Sequence, residues 1–233
     1  EHDGMNDLKE KVRLASILGT WQSTLTRFNF VEPEWRRNAE EERLLGVSLT
    51  GIYDNALMRG EGGLEKLGAN LEKLKAVAIK ANRLEANDIG INPSAAVTTV
   101  KPSGTVSQLV NSPSGIHQGH APYYIRRVTG DNKDPITTFM SDAGIPSEPH
   151  STKPQGMTVF AFPVKLGEGT VTRDNVTALE HLDLVRTYNT HWSEHAVSCT
   201  ISIKEHEWPS VGGSVYDHFD DITGLSFLPH FEG

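Results

Sequence analysis

The sequence predicts an α/β fold, and three observations carry that prediction. Ala95 to Val100 is a short, β-branched, apolar run flanked by Pro93-Ser94 and Pro102-Ser103-Gly104, the pattern of a buried strand. Leu64, Leu67, Leu71, Leu74, Val77, Ala81 and Leu84 recur in steps of three and four, the clearest helical stripe in the chain. Leu45 to Leu49 precedes that stripe as a strand candidate, and Val106-Ser107-Gln108-Leu109-Val110 can open a helix after Val100. Strand, long helix, strand, helix is the order of parallel βα units.

The remaining elements follow in order. From Met5 to about Leu25, apolar Leu8, Val12, Ala15, Leu18, Trp21 and Leu25 predict an amphipathic helix. Pro33 suits the first turn of a short helix, Glu34 to Leu44, with Glu34 near its positive end. Asn111 to Pro122, rich in Gly, Pro and Ser, reads as a long loop. Tyr123 to Thr129 reads as a strand with paired arginines, and Asp134-Pro135 as a helix start. Gly144 to Gly156 reads as irregular, and Met157 to Val164, apolar on both faces, as a buried strand. Thr172 or Asp174 is expected to cap a helix running to about Thr190, with Val176, Leu179, Leu182 and Val185 inward. Ala196 to Ile203 alternates as a strand. No repeat, low-complexity tract or linker divides the chain, so 1–233 reads as one region.

Composition narrows the function. The net charge of −8 argues against a protein that coats nucleic acid, which needs a basic face, but not against one local anion site. A single Cys cannot form an intrachain disulfide and fits a reducing, cytoplasmic compartment. No apolar run approaches the roughly 20 residues that span a bilayer. Glu1-His2-Asp3-Gly4 has neither a signal-peptide pattern nor an initiator Met, so the chain is expected to be a piece of a longer protein.

The stretch with the most chemistry is Pro102-Ser103-Gly104-Thr105-Val106-Ser107. A small polar loop between a strand and a helix N-terminus offers unpaired backbone N–H groups and partial positive charge to an anion. Gly104 lets backbone approach a ligand, and the hydroxyls of Ser103, Thr105 and Ser107 can donate to phosphate oxygens. The plainer alternative is a strand-to-helix turn in which Ser103 or Thr105 only caps the helix. It is not the nucleotide P-loop, since the Gly-x4-Gly-Lys-Ser/Thr spacing is missing.

Other constellations invite simpler readings. His191-Trp192-Ser193-Glu194-His195 matches H-x-x-E-H, an inverted zinc-protease motif. A strand beginning at Ala196 would put His195 beyond the helix, so polar residues at a helix-to-strand corner are the plainer account, with a zinc hydrolase as the alternative. Cys199 shares a strand face with Val197, Ile201 and Ile203, the place of a buried, inert thiol. Arg126-Arg127 suits either phosphate or surface carboxylates. His117 and His120 lie in the Gly-rich loop, where solvated histidine is the plain reading and a ligand contact the other.

Val100-Lys101-Pro102-Ser103-Gly104-Thr105-Val106-Ser107-Gln108-Leu109 resembles the phosphate-binding loop of class II ribonucleotide reductases, the adenosylcobalamin-dependent enzymes. Further blocks resemble that family in the same order: Arg13 to Thr26, Glu41 to Ile52, Tyr123 to Val128, His195 to Ile201, and Asp220 to Pro229. The resemblance covers nearly the whole chain. It implies an α/β barrel of ten strands, two parallel five-stranded halves set antiparallel, of which this chain is the C-terminal part. It implies reduction of a ribonucleotide 2′-hydroxyl by a thiyl radical, with adenosylcobalamin as cofactor and a thioredoxin-type reductant. The block Ser114 to Arg127 favours ribonucleoside triphosphate over diphosphate. Pro102, Ser103, Gly104, Thr105, Val106 and Ser107 would hold the substrate phosphates. Asn92-Pro93-Ser94 departs from the family's Asn-Pro-Cys-Gly-Glu finger loop, having Ser in place of the radical Cys and Ala95-Ala96 in place of Gly-Glu. It reads as the turn before a strand, and the finger loop is expected upstream of Glu1. No catalytic residue is therefore expected in this chain, which alone would be inactive, and its cobalamin contacts are unknown. A non-catalytic nucleotide-binding module is the alternative.

Overall fold

Parallel pairing at the strand before Pro102 sets the architecture. The computed structural model describes residues 3–231; Glu1 and His2, from the amino-terminal stretch read above, lie outside the described residues. Contacts group the chain into two compact units, Glu1–Gly119 with Gly169–Gly233, and His120–Glu168.

In the first unit, β1 (Val47–Ser48) pairs parallel with β2 (Thr98–Thr99). The regular strands are shorter than the apolar runs around them, but the hydrogen bonding runs further. The N–H groups of Ala95, Leu45 and Val47 donate to Glu42, Ala96 and Val97 carbonyls at 2.8, 2.9 and 2.9 Å. Ser198 N–H donates to Val100 O at 2.9 Å, tying β2 to the segment that leads into β6 (Thr200–Ile203). β6 in turn pairs parallel with β7 (Ser226–Pro229). The expected parallel βα units are thus present.

Helices cover these strands. The long stripe is α3 (Leu64–Ile89), which buries Leu67, Leu71, Leu74, Ala78 and Ala86. It packs on α1 (Met5–Gln22) and α6 (Ala178–His191). Where α3 approaches α6, the His191 ring lies over Gly68, and a Cβ there, 2.9 Å from the ring, would displace that side chain. Tyr188 and Trp192 are fully buried, and their polar tips are satisfied: Tyr188 O–H donates to Met58 O at 2.8 Å and Trp192 Nε1–H to Thr99 O at 2.7 Å.

Three sequence expectations change here. α1 ends at Gln22, short of Leu25; it buries Leu8, Val12, Ser16 and Thr20 and leaves Leu18 and Trp21 at 60% and 51% exposure, while Leu25 beyond it is 73% exposed. Burial of the polar pair is possible because each hydroxyl bonds back to a carbonyl four residues earlier, Val12 O at 2.8 Å and Ser16 O at 2.7 Å. Thr172 opens only a single 3-10 turn, Arg173–Asn175. The helix starts later because Thr177 and Glu180 form a reciprocal capping box, with Thr177 Oγ1 accepting from Glu180 N at 3.2 Å and Glu180 accepting from Thr177 N at 2.8 Å. α2 (Pro33–Glu42) forms with Pro33 in its first turn, but ends two residues before Leu44, where Arg43 turns left-handed. Past α6, α7 (Trp208–Asp217) buries Val211.

The second unit is antiparallel. β3 (Tyr123–Asp131) pairs with β5 (Met157–Lys165) over nine residues, from Tyr123↔Lys165 to Asp131↔Met157, and β4 (Ser147–Pro149) adds to the far edge of β5. Gly144 to Gly156 therefore contains a strand. Met157 to Val164 is not buried on both faces either; only Phe160 in it is fully enclosed. A three-stranded sheet has little to cover it, here α5 (Pro135–Asp142) packed at β3 and capped by Asp134, which accepts from Ile136 N at 3.1 Å. No helix among the described residues is long and apolar enough to cross a membrane.

Candidate phosphate-binding site

β2 ends at Thr99, and the chain turns at Gly104 with φ +60°, a left-handed conformation that favours glycine. A one-turn helix, α4 (Val106–Leu109), follows. Val106 N–H donates to Ser103 O at 3.1 Å, and Gln108 N–H to Thr105 O at 3.1 Å. The N–H groups of Gly104 and Thr105 find no partner among the described residues, and both residues are exposed. Nothing lies within 4 Å of where a Gly104 Cβ would be. Thr105 occupies the cap position, but its hydroxyl makes no cap hydrogen bond. The turn therefore presents two amides and one hydroxyl to solvent, at the carboxyl end of a parallel strand, where open α/β sheets bind ligands.

The three hydroxyl residues differ. The Thr105 hydroxyl is open. Ser103 is held: its N–H donates to Ser114 Oγ at 2.8 Å, its Oγ lies 3.1 Å from that oxygen, and Thr50 Oγ1 is at 3.4 Å. Ser107 is fully buried, and its Oγ has no hydrogen-bond partner. Lys101 is turned to the neighbouring segment, its Nζ donating to Ala196 O and Ser198 Oγ, both at 2.8 Å.

A second loop braces the turn. Thr50 Oγ1 donates to Pro113 O at 3.2 Å and accepts from Gly115 N–H at 2.9 Å. Gly115 has φ +57°, and a Cβ there would lie 3.0 Å from Lys101 O, so only glycine allows this approach. His117 is half-buried. Its Nδ1 is 2.9 Å from Ser114 O and its Nε2 accepts from Thr200 N–H at 2.9 Å, which fixes the neutral tautomer with the proton on Nδ1. Beneath it, His181 Nε2 lies 3.0 Å from Ile116 O. Burial, then the neighbouring His117, pushes the His181 pKa down to about 4. Tyr53 stacks edge-on against His181 and accepts from Gln118 Nε2 at 3.1 Å; burial raises its pKa.

The other candidates fall elsewhere. α6 ends at His191, so the H-x-x-E-H residues do not share a helix face. His191 Nδ1 pairs with Glu72 at 2.8 Å, while His195 Nε2 meets Leu45 O at 2.8 Å. Glu194 accepts from Val97 N–H at 2.7 Å and Thr98 N–H at 3.4 Å. Among the described residues, no group of three His, Cys, Asp or Glu side chains could hold a metal. Cys199 is buried beside Val197, Ile201 and Ile203, and burial pushes its thiol pKa up to about 11. Arg127 forms an exposed ion pair with Glu148. His120 is exposed and meets Tyr124 edge-on, ring centres 5.8 Å apart. Sequence reading missed Thr50 and Ser114; the signal available was the glycine beside each, Gly51 and Gly115, both left-handed.

No protein-family model matches the chain. The fold is that of a solved B12-dependent (class II) ribonucleotide reductase, with a TM-score of 0.78 at 24% identity over 97% of this chain and 35% of that one. In sequence, the chain is similar to proteins named adenosylcobalamin-dependent ribonucleoside-triphosphate reductase. It is 27% identical to that of Lactobacillus acidophilus, over 100% of this chain and 34% of the relative. It is 28% identical to that of Levilactobacillus brevis (94% and 33%) and 27% identical to that of Euglena gracilis (99% and 31%). The chain spans about a third of the length of these curated relatives. The resemblance read from its ordered blocks therefore extends over the whole chain.

Proposed function

We propose that this chain is the substrate-phosphate-holding part of an adenosylcobalamin-dependent ribonucleotide reductase acting on ribonucleoside triphosphates. On this reading it is the C-terminal part of a ten-stranded catalytic barrel in a cytoplasmic protein served by a thioredoxin-type reductant. The observation that carries the proposal is the Gly104 turn, with its free amides, set in a chain similar throughout to enzymes of that name. Pro102 to Ser107 is the binding stretch. Gly104 and Thr105 offer N–H groups and Thr105 its hydroxyl, while Ser103 and Ser107 support the turn from behind. Fixing the phosphates orients the ribose, so binding energy from a remote part of the substrate serves the reacting centre.

One thiol cannot form a reducing Cys pair, and Cys199 is buried on an apolar face rather than in an Asn-Pro-Cys-Gly-Glu loop, so on this reading the radical and reducing cysteines belong to other parts of the protein. His117 commits both ring nitrogens to backbone groups, Ser114 O and Thr200 N–H, and so has none left for a metal. The exposed Leu18 and Leu44 border a cavity of about 540 Å³ beside β1, a face suited to packing by the remaining barrel.

The test is nucleotide affinity by calorimetry. Thr105→Val keeps the shape and removes one charge-assisted donor, so a ribonucleoside triphosphate should bind roughly tenfold more weakly. Gly104→Val, strained at positive φ and crowding the phosphate space, should lose more. Unchanged affinity in both variants would reduce the loop to a connection.

A further inference from the structure

We propose that His117 is a positioning residue for the substrate phosphate: it holds Ser114 against the backbone of Ser103 and so keeps the Gly104 turn open. The inference rests on the phosphate reading above and adds to it a residue that touches no ligand. Four links carry it. Thr200 N–H, at the start of β6, donates to His117 Nε2 at 2.9 Å. His117 Nδ1–H donates to Ser114 O at 2.9 Å. Ser114 Oγ accepts Ser103 N–H at 2.8 Å. Ser103 then precedes the left-handed glycine. Imidazole suits this place because one ring must accept from a backbone N–H on one side and donate to a carbonyl on the other.

The clasp decides which amides are free. With Ser103 N–H taken by Ser114, the Gly104 and Thr105 N–H groups are left to point at an anion together. Without it, Ser103 gains an unpaired N–H, and the turn gains other conformations that must be frozen out on binding.

Two substitutions separate positioning from bulk stability. His117→Asn keeps an N–H donor where Nδ1 stands and loses the acceptor for Thr200. His117→Ala loses both. Any destabilisation from the Thr200 bond is common to the two, and melting temperatures measure it. CTP affinity is then titrated on each variant of the full chain, beside Gly104→Val. The expected result is binding about fivefold weaker in His117→Ala, the effect of one lost hydrogen bond of about 1 kcal/mol, with His117→Asn within about twofold of the parent. Ser114→Ala should match or exceed the alanine effect. Equal CTP affinity in His117→Ala and His117→Asn overturns the positioning role while Gly104→Val still weakens binding. If Gly104→Val also binds CTP as the parent does, the phosphate reading fails and this inference with it.

Discussion

Pro102–Ser107 and His191–His195 both look like functional motifs, yet the fold treats them oppositely. In the second, nearly every polar group is already committed. Glu194 caps the start of β2, His195 holds Leu45 O, His191 pairs with Glu72, and Trp192 Nε1 is bound to Thr99 O. The stretch is a clamp on two strands. In the first, two amides and the Thr105 hydroxyl remain uncommitted at an exposed left-handed turn. A motif retains chemistry only to the extent that folding leaves its donors and acceptors unspent.

Substitutions that cut the clamp should damage the fold, and those that alter the turn should damage binding. The largest effect is expected at Trp192, fully buried with its indole N–H bonded. Trp192→Ala should lose about 3–5 kcal/mol in denaturant unfolding. A loss under about 1 kcal/mol would show that the clamp is not structural.

Next comes acid. The folded His181 pKa, about 4, lies below its ordinary 6.5. The unfolded chain therefore binds more protons between these values, and stability present above pH 6.5 is lost as pH falls toward 4. The loss is on the order of 2–3 kcal/mol, and His181→Gln should flatten that slope in urea titrations at several pH values. A slope that persists in the variant would place the titrating group elsewhere.

Glu194→Ala should cost about 2 kcal/mol, since two strand amides lose a charged acceptor, and should leave CTP affinity within about twofold. Lost zinc-dependent hydrolysis, rather than lost stability, would revive the metal reading. The smallest effect is expected at Ser107. Its enclosed hydroxyl has no partner, so Ser107→Ala should change stability by about 0.5 kcal/mol or less. A tenfold fall in CTP affinity in that variant would mean that the turn rearranges to expose this hydroxyl.

Periodicity made α3 legible, because a long stripe of leucines has one geometric explanation. The turn at Gly104 was legible because a glycine amid hydroxyls between strand and helix signals is local information. The inward face of α1 was not, since apolar spacing is blind to hydroxyls that satisfy themselves on their own helix, as Ser16 and Thr20 do. The later start of α6 was written in Thr177 and Glu180 but overshadowed by Thr172. The Thr50–Ser114–His117 brace was hinted at only by the glycines beside it, Gly51 and Gly115, and its pairing was not legible. It joins loops far apart in the chain, and their hydrogen bonds exist only once β1, β2 and β6 lie side by side.

The buried face of α1 has one more effect. Asn82 of α3 donates through Nδ2 to Thr20 Oγ1 and Ser94 Oγ, both at 2.9 Å, and accepts Ser94 N–H at 2.9 Å. That amide reads the rotation of α1 about its own axis. Rolling the helix to hide Leu18 and Trp21 would take Thr20 Oγ1 away from the buried Asn82 amide, a cost of about one interior hydrogen bond. The helix is thereby locked with its greasy side out. Until something covers that side, the chain should be sticky, and light scattering should rise with concentration unless Leu18 and Trp21 are made polar.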